Sequence, residues 1–412
     1  MTVQIKEIKD ARELITSVIA PTPMIADARL SREFGINAHL KAESLQKSGS
    51  FKIRGGYNKI ARLSEQERSR GVIAASAGNH AQGVALAARL VGVEATIVVP
   101  EFAPLTKINA TKLLGAKVIL HGSTFDEAVA YSRELQAEHQ FTYVHAFDDE
   151  KIIAGQGTIG LEIAESLPDV NTVIVPIGGG GLISGIAIAL KHLKPNVRII
   201  GVQSENVSWV IPSIKAGHSV PAAPGGQTIA DGIAVKSPGE LTLPIIEALV
   251  DEVVTVSEEE IARAIFYCVQ NNRLVVEGAG AAGLAALLAR KFVFHKGDAI
   301  CSVLCGGNID ANLLARVLEQ VLVRQGRYVM LRLLVVDRPG MLANVLTTAG
   351  KAGANVIEVF HRRAMYLAPF GRVGIELLLE VRDNDHAVEV QQQLELAGYQ
   401  VEREGHGDWS ES

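Results

Sequence analysis

The sequence predicts an α/β protein, with parallel sheets covered by helices on both faces, followed by a small βαββαβ domain. Three observations carry this. Short runs rich in β-branched residues, such as 95–99 and 172–177, alternate with amphipathic stretches, which is the rhythm of parallel strands joined by crossover helices. Small-residue turns, Ser76-Ala-Gly-Asn-His80 and Gly178-Gly-Gly-Gly181, stand between such a run and the helix after it. After about residue 326 the order becomes strand, helix, strand, strand, helix, strand, that of a ferredoxin-like domain.

Residues 5–20 place Ile5, Ile8, Leu14, Ile15 and Val18 at helical spacing, and Pro21 must end that helix. Pro21 and Pro23 force an extended segment, and 39–43 reads as a strand leading to the flexible Ser48-Gly49-Ser50 run. A helix-like segment follows over 57–63. Strands are expected at 72–75, 95–99, 117–120 and 142–145, alternating with helices at 81–90, 105–114 and 124–139. The pattern continues with helix 155–167, strand 172–177, helix 182–192 and strand 198–203. Residues 204–256 are less regular, interrupted by Pro212, Pro221, Pro224, Pro238 and Pro244. Helices 258–270 and 280–291, a buried strand 299–304 and a connecting helix 313–323 come next. The last part holds strands 328–336, 355–362, 372–381 and 400–403 with helices 340–352 and 387–397. The chain is therefore divided into 1–325 and 326–405, with 406–412 as a tail.

Composition limits the function classes. A chain of 412 residues with 48% hydrophobic content has material for two or three domains and a real core. The net charge of -5, without a basic block, points to no nucleic acid and no anionic membrane as partner. Three cysteines, Cys268, Cys301 and Cys305, suggest reduced thiols rather than a disulfide framework. The first ten residues lack a signal-peptide core, and no apolar run has the length of a membrane span. The expectation is a cytoplasmic enzyme.

Lys52 stands between Phe51 and Ile53, after the flexible run. An amine among apolar residues is desolvated, which favours its neutral, nucleophilic form and Schiff-base chemistry with carbonyl compounds. The bland alternative is a lysine that snorkels to water. Ser76-Ala-Gly-Asn-His80 opens a helix, so its amides suit a carboxylate guest; an N-capping turn made by Ser76 or Asn79 explains the same residues. Gly178 to Gly181 follow a buried strand and let several amides converge on one anion, the logic of a phosphate cradle. The run is neither GxGxxG nor a Walker loop, since Ile183 and Ile186 occupy the deciding positions.

Gly278-Ala-Gly-Ala-Ala-Gly283 does match GxGxxG after Leu274-Val-Val276 and founds a competing reading, an NAD-dependent oxidoreductase. Its late position and the poor strand character of 291–297 weigh against it. A third reading is a non-catalytic amino-acid sensor led by the C-terminal domain. Cys301 and Cys305 lack the neighbours of a zinc site; Cys301 reads as core, Cys305 as facing a ligand, and His145 as structural.

In their order along residues 5–320, these pieces resemble the threonine ammonia-lyases (threonine dehydratases), fold type II pyridoxal-phosphate enzymes, here with a C-terminal ACT domain. The resemblance is carried by Ser50-Phe-Lys-Ile-Arg-Gly55, Ser76-Ala-Gly-Asn-His-Ala-Gln-Gly83, Ala154-Gly-Gln-Gly-Thr158, Gly178-Gly-Gly-Gly-Leu182, Val202-Gln-Ser-Glu-Asn206, Glu277-Gly-Ala-Gly280 and Cys305-Gly-Gly-Asn308. It implies two lobes, the smaller one, about 50–150, inserted in the larger. It implies that Lys52 holds pyridoxal 5'-phosphate, that Phe51 packs beside the ring and that Asn79 bonds the ring hydroxyl. Gly178, Gly179, Gly180 and Gly181 would hold the phosphate, Cys305 would partner the pyridine nitrogen, and Ser76, Ala77, Gly78, Asn79 and His80 would bind the substrate carboxylate.

The activity so implied is elimination from a small hydroxyamino acid, L-threonine or L-serine, to 2-oxobutanoate or pyruvate and ammonia, in a homodimer or homotetramer. Serine racemase and hydroxyaspartate dehydratase are the alternatives within the family. Ala77 stands where the racemases have a reprotonating serine, and Gln203 and Trp209 where they have metal-binding carboxylates, so no bound metal is expected. Many relatives have serine at position 305. The ACT resemblance rests on Asp337-Arg-Pro-Gly-Met341 and Gly353-Ala-Asn-Val356. It places an amino-acid effector near Asp337, Gly340, Asn355 and Val356.

Overall fold

Alternation of buried strands with helices builds two sheets in the first of two compact units, Met1–Asp310. The computed structural model describes residues 3–362 and 369–403; the expected tail lies outside them. The larger sheet runs in the order Met24–Ala26, Asn37–Lys41, Ala299–Val303, Thr172–Pro176, Arg198–Ser204, Glu252–Val256. All its pairings are parallel except the first. The smaller sheet is parallel throughout, in the order Lys117–Leu120, Ala95–Val99, Val72–Ala75, Thr142–Tyr143. Its core gathers Ile53, Ile60, Val84, Ile97 and Ile108, whereas Ile8, Ile153, Leu161 and Ile188 pack together elsewhere in the unit.

Two helices begin before their expected starts. The helix expected from Tyr57 starts at Lys52 and runs to Ile60, straight through Gly55 and Gly56. Glycine costs a helix about 1 kcal/mol against alanine. Here it permits contact: a side chain on Gly56 would lie 3.2 Å from Gly83 O, and one on Gly83 2.9 Å from the backbone of Lys52. Similarly, the helix expected from 155 spans Glu150–Ser166, capped by Asp149, which accepts from the amides of Lys151 and Ile152.

The proline-rich stretch 204–256 contains the helices Val210–Ala216 and Thr242–Leu249. Pro212 and Pro244 each sit in a first turn, where the missing N–H has no intrahelical acceptor in any case. Residues 274–276, the run before the GxGxxG segment, are irregular. They follow a π-helical turn, Cys268–Asn272, that ends on Arg273 in the left-handed region.

The second unit, Ala311–Ser412, begins with the helix Ala311–Arg324, so the division falls before that helix and not at 326. Its antiparallel sheet runs in the order Asn355–Arg362, Arg372–Glu380, Tyr328–Val336, Gln400–Arg403. With helices Met341–Lys351 and Asn384–Leu396 this is the expected βαββαβ order. Val329, Leu331, Leu333 and Val335 alternate into its core at the two-residue period of a strand with one buried face. Among the described residues, no helix is long and apolar enough to cross a membrane.

Candidate active site

Parallel strands deliver their carboxyl ends to one side of a sheet, which is where open α/β folds place ligands. Strands Val72–Ala75, Thr142–Tyr143, Thr172–Pro176 and Ala299–Val303 all lead into one cavity of about 680 Å³. Lys52, 76–80, 178–181, Glu277 and Cys305 line it, so it unites every catalytic, cofactor and substrate residue singled out in the sequence.

Lys52 opens its helix after Phe51, which is already in helical conformation. Its ammonium donates to Ala146 O at 2.9 Å and lies 5.1 Å from the Phe51 ring centroid. Burial lowers its pKa from 10.5 to about 8, against the raising influence of Cys305 and Glu277. A substantial fraction of the amine is therefore neutral under mildly alkaline conditions.

The glycine turn follows the strand that ends at Pro176, and Gly180, at φ +91, caps the helix Gly181–Leu193. Trp209 Nε1 donates to Gly178 O at 3.1 Å and Thr242 Oγ1 to Gly179 O at 2.8 Å, which fixes the peptide planes. Among the described residues no group accepts from the amides of 178–181. A side chain on Gly179 would collide with the Phe147 ring, and one on Gly181 would lie 2.9 Å from Phe147 O. Free amides at the start of a 13-residue helix favour an anion.

The helix Asn79–Val91 is capped by Gly78 without a side-chain hydrogen bond, so the reading of Ser76 or Asn79 as its cap does not hold. Ser76 Oγ accepts from the Gly78 amide, and Asn79 reaches across to Glu277 and Asn308. His80 Nε2 lies 2.8 Å from Val144 O, which only accepts, so that nitrogen carries the proton. Burial and the Lys52 charge push the His80 pKa down to about 3, leaving a neutral ring. Cys305 Sγ donates to Ala279 O at 3.4 Å. Burial and the neighbouring Glu277 raise its pKa far enough to keep the thiol neutral.

Several lining residues carry no role in the sequence reading. Glu277, quoted there only within the Glu277-Gly-Ala-Gly280 motif, is buried and its pKa is raised to about 7, by burial first and by Asp231 second. His145, read as structural, also lines the cavity, and its Nδ1 accepts from the amides of Phe147 and Asp148. Lys107 and Asp231, likewise lining, form an ion pair. Cys301 is core, as expected, 3.8 Å from Met24 Sδ, and burial raises its thiol to about 12.

Gln203 and Trp209 serve the fold: Gln203 Oε1 accepts from the Trp209 and Val210 amides, and Trp209 is fully buried. Among the described residues no three His, Cys, Asp or Glu side chains group as metal ligands. The GxGxxG segment opens the helix Gly278–Leu288 but follows no strand, which removes the premise of the dinucleotide reading. Its glycines permit close packing instead, since side chains at Gly278 and Gly280 would strike Ile229 O and Gly306 O. In the second unit, a cavity of about 390 Å³ is lined by Asp337, Arg338, Gly340, Met341 and His361, among others. Asn355 and Val356 are not among its lining residues; Asn355 Nδ2 donates to Glu380.

The profile of the pyridoxal-phosphate dependent enzyme family matches residues 15–306. An L-threonine ammonia-lyase of Thermotoga maritima is 49% identical over 399 residues, covering 97% of this chain and 99% of that protein. Among solved structures, processed threonine deaminase isoform 2 of Solanum lycopersicum superposes with a TM-score of 0.73 at 38% identity, covering 77% of this chain and 88% of that one. Maize serine racemase gives 0.74 at 35% identity, covering 79% and 99%.

Proposed function

Since the chain belongs to the pyridoxal-phosphate-dependent enzymes, we propose that it is an L-threonine ammonia-lyase, acting also on L-serine, that forms 2-oxobutanoate or pyruvate and ammonia. The observation that carries this is a desolvated amine, Lys52, in the same cavity as a turn of uncommitted amides. The donor set fits the cofactor: Lys52 for its aldehyde, the amides of 178–181 for its phosphate, Asn79 for its ring hydroxyl, the Cys305 thiol at its pyridine nitrogen and Phe51 beside its ring. Bound there, pyridoxal phosphate supplies an electron sink for the pair left when the substrate Cα–H bond breaks.

The chain's own groups do the rest. The amides at 76–80, at the start of the Asn79–Val91 helix, orient the substrate carboxylate. The Lys52 amine takes the Cα proton, which its lowered pKa suits it to do near neutrality. The β-hydroxyl leaves as water with the proton that Lys52 took from Cα, and the released enamine hydrolyses to the 2-oxoacid and ammonia. Neutral Cys305 and neutral His80 place no second cation beside Lys52. Ala77 carries no protic group, which disfavours return of a proton from the opposite face and hence racemisation.

The same reading makes the protein a cytoplasmic homo-oligomer of amino-acid metabolism, on the isoleucine-forming side. Its three free cysteines suit a reducing compartment. Its second unit is taken as an ACT-type regulatory domain, with an amino-acid effector at the cavity of Asp337 and Gly340. The test is 2-oxoacid formation from L-threonine by the purified chain. Lys52→Ala should abolish it while leaving the fold intact by circular dichroism, and turnover that survives the substitution contradicts the assignment.

A further inference from the structure

The two ends of an asparagine amide have nearly the same shape and opposite hydrogen-bonding character, and neighbouring groups decide which end of Asn79 meets the cavity. The Ser48 carbonyl only accepts. Asn308 must therefore turn its Nδ2 toward Ser48 O, 2.9 Å away. The same Nδ2 lies 2.7 Å from Asn79 Oδ1, so the oxygen of Asn79 is already engaged. Asn79 Nδ2 then faces Glu277 Oε1 at 2.5 Å. An amide NH₂ has two hydrogens: one is given to Glu277, and among the described residues no group accepts the other.

Glycines make room for this relay. A side chain on Gly306 would strike Glu277 Oε1 and approach Asn79 Nδ2 to 3.0 Å, and one on Gly49 would strike Asn308 Oδ1. All three polar residues line the cavity.

We propose that Glu277 and Asn308 are positioning residues that lock the Asn79 amide with an N–H toward the cavity, where it donates to the phenolic oxygen of the pyridoxal ring. This rests on the cofactor reading above. Without the lock, the amide is free to present its oxygen, which repels a phenolate.

The test compares the full-length chain's affinity for pyridoxal 5'-phosphate with that for 3-deoxypyridoxal 5'-phosphate, which lacks only the ring hydroxyl. Loss of one charge-assisted hydrogen bond corresponds to roughly ten- to hundredfold in affinity, so the unaltered protein should prefer the natural cofactor by that factor. Asn308→Asp and Glu277→Leu should bring the ratio close to one while leaving affinity for the 3-deoxy analogue within about threefold. Glu277→Gln, whose amide oxygen still accepts, should keep the preference. Should Asn308→Asp bind neither aldehyde, Asn308→Ser, which removes the donors without adding charge, decides by the same ratio. Wild-type ratios in Asn308→Ser and Glu277→Leu overturn the positioning role and leave the cofactor reading intact. An unaltered protein that binds neither aldehyde overturns the cofactor reading itself.

Discussion

Replacing Arg54 with methionine removes the cation at the centre of a buried cluster formed by Lys41, Glu43, Arg54 and Glu162. Its Nε and Nη2 donate to Glu43 at 2.8 Å each, its Nη1 and Nη2 to Glu162 at 2.5 and 3.0 Å, and its Nη1 to Thr158 Oγ1 at 3.1 Å. All five guanidinium N–H groups are thereby used. Lys41 balances the second carboxylate, 2.5 Å from Glu162 and 2.8 Å from Thr22 O. Without Arg54, two carboxylates share one buried cation, and breaking such a pair costs about 3–5 kcal/mol.

The double variant Arg54→Met/Glu43→Gln removes one cation and one anion together and leaves Lys41 with Glu162. It should therefore recover at least about 1 kcal/mol of that loss, a coupling measurable in a double-mutant cycle. Burial raises the Glu162 pKa, but the hydrogen bond and charge of Arg54, with Lys41, outweigh it and hold the group low. That contribution is present above the unfolded carboxylate's pKa and is lost as pH falls through the folded one, so the gap between wild type and Arg54→Met should narrow on acidification. Urea unfolding of the full chain, followed by circular dichroism at neutral and acidic pH, reads all three quantities. A single-variant loss below about 1 kcal/mol, or strict additivity in the double variant, refutes the argument.

Other outcomes follow from the cavity. In chain stripped of cofactor, an amine-selective reagent should modify Lys52 with a midpoint near pH 8 rather than 10.5, as peptide mass spectrometry across a pH series would report; a midpoint near 10.5 counts against its desolvation. His80 stays neutral in the folded chain down to about pH 3, whereas the unfolded chain takes up that proton near 6.5. The unfolded state thus binds more protons between those values and stability rises with pH there, so His80→Gln should flatten the acidic limb of a stability–pH curve. Gly180→Ala adds a side chain at φ +91 and 2.8 Å from Thr242 Cβ. It should weaken pyridoxal 5'-phosphate binding more than that of unphosphorylated pyridoxal, and equal losses for both would contradict the phosphate role of the turn.

Much of the fold is legible because burial imposes its own period. Runs such as Ala95–Val99 and Thr172–Pro176 are rich in β-branched residues and buried throughout, as strands covered on both faces must be. Where the reading slipped, glycine and proline had a purpose set by distant neighbours. The helix is expected only from residue 57, after Gly55 and Gly56, yet these glycines lie inside it and make room for contacts with residues 152, 156 and 83. The GxGxxG of 278–283 looked like a nucleotide turn, and its glycines answer instead to 229 and 306. The site divides in the same way. Lys52, the amides after Ser76 and the glycine turn are local motifs and could be read. The partnership of Asn79 with Glu277 and Asn308 spans 198 and 229 residues of sequence, and only the folded chain brings those side chains together.

Reduction of the holoenzyme with borohydride, followed by digestion and mass spectrometry, tests the assignment of Lys52 most directly. A phosphopyridoxyl group on the peptide containing Lys52, and on no other, is the expected result. A reduced adduct on a different lysine, or none in a preparation that still converts L-threonine to 2-oxobutanoate, would contradict it.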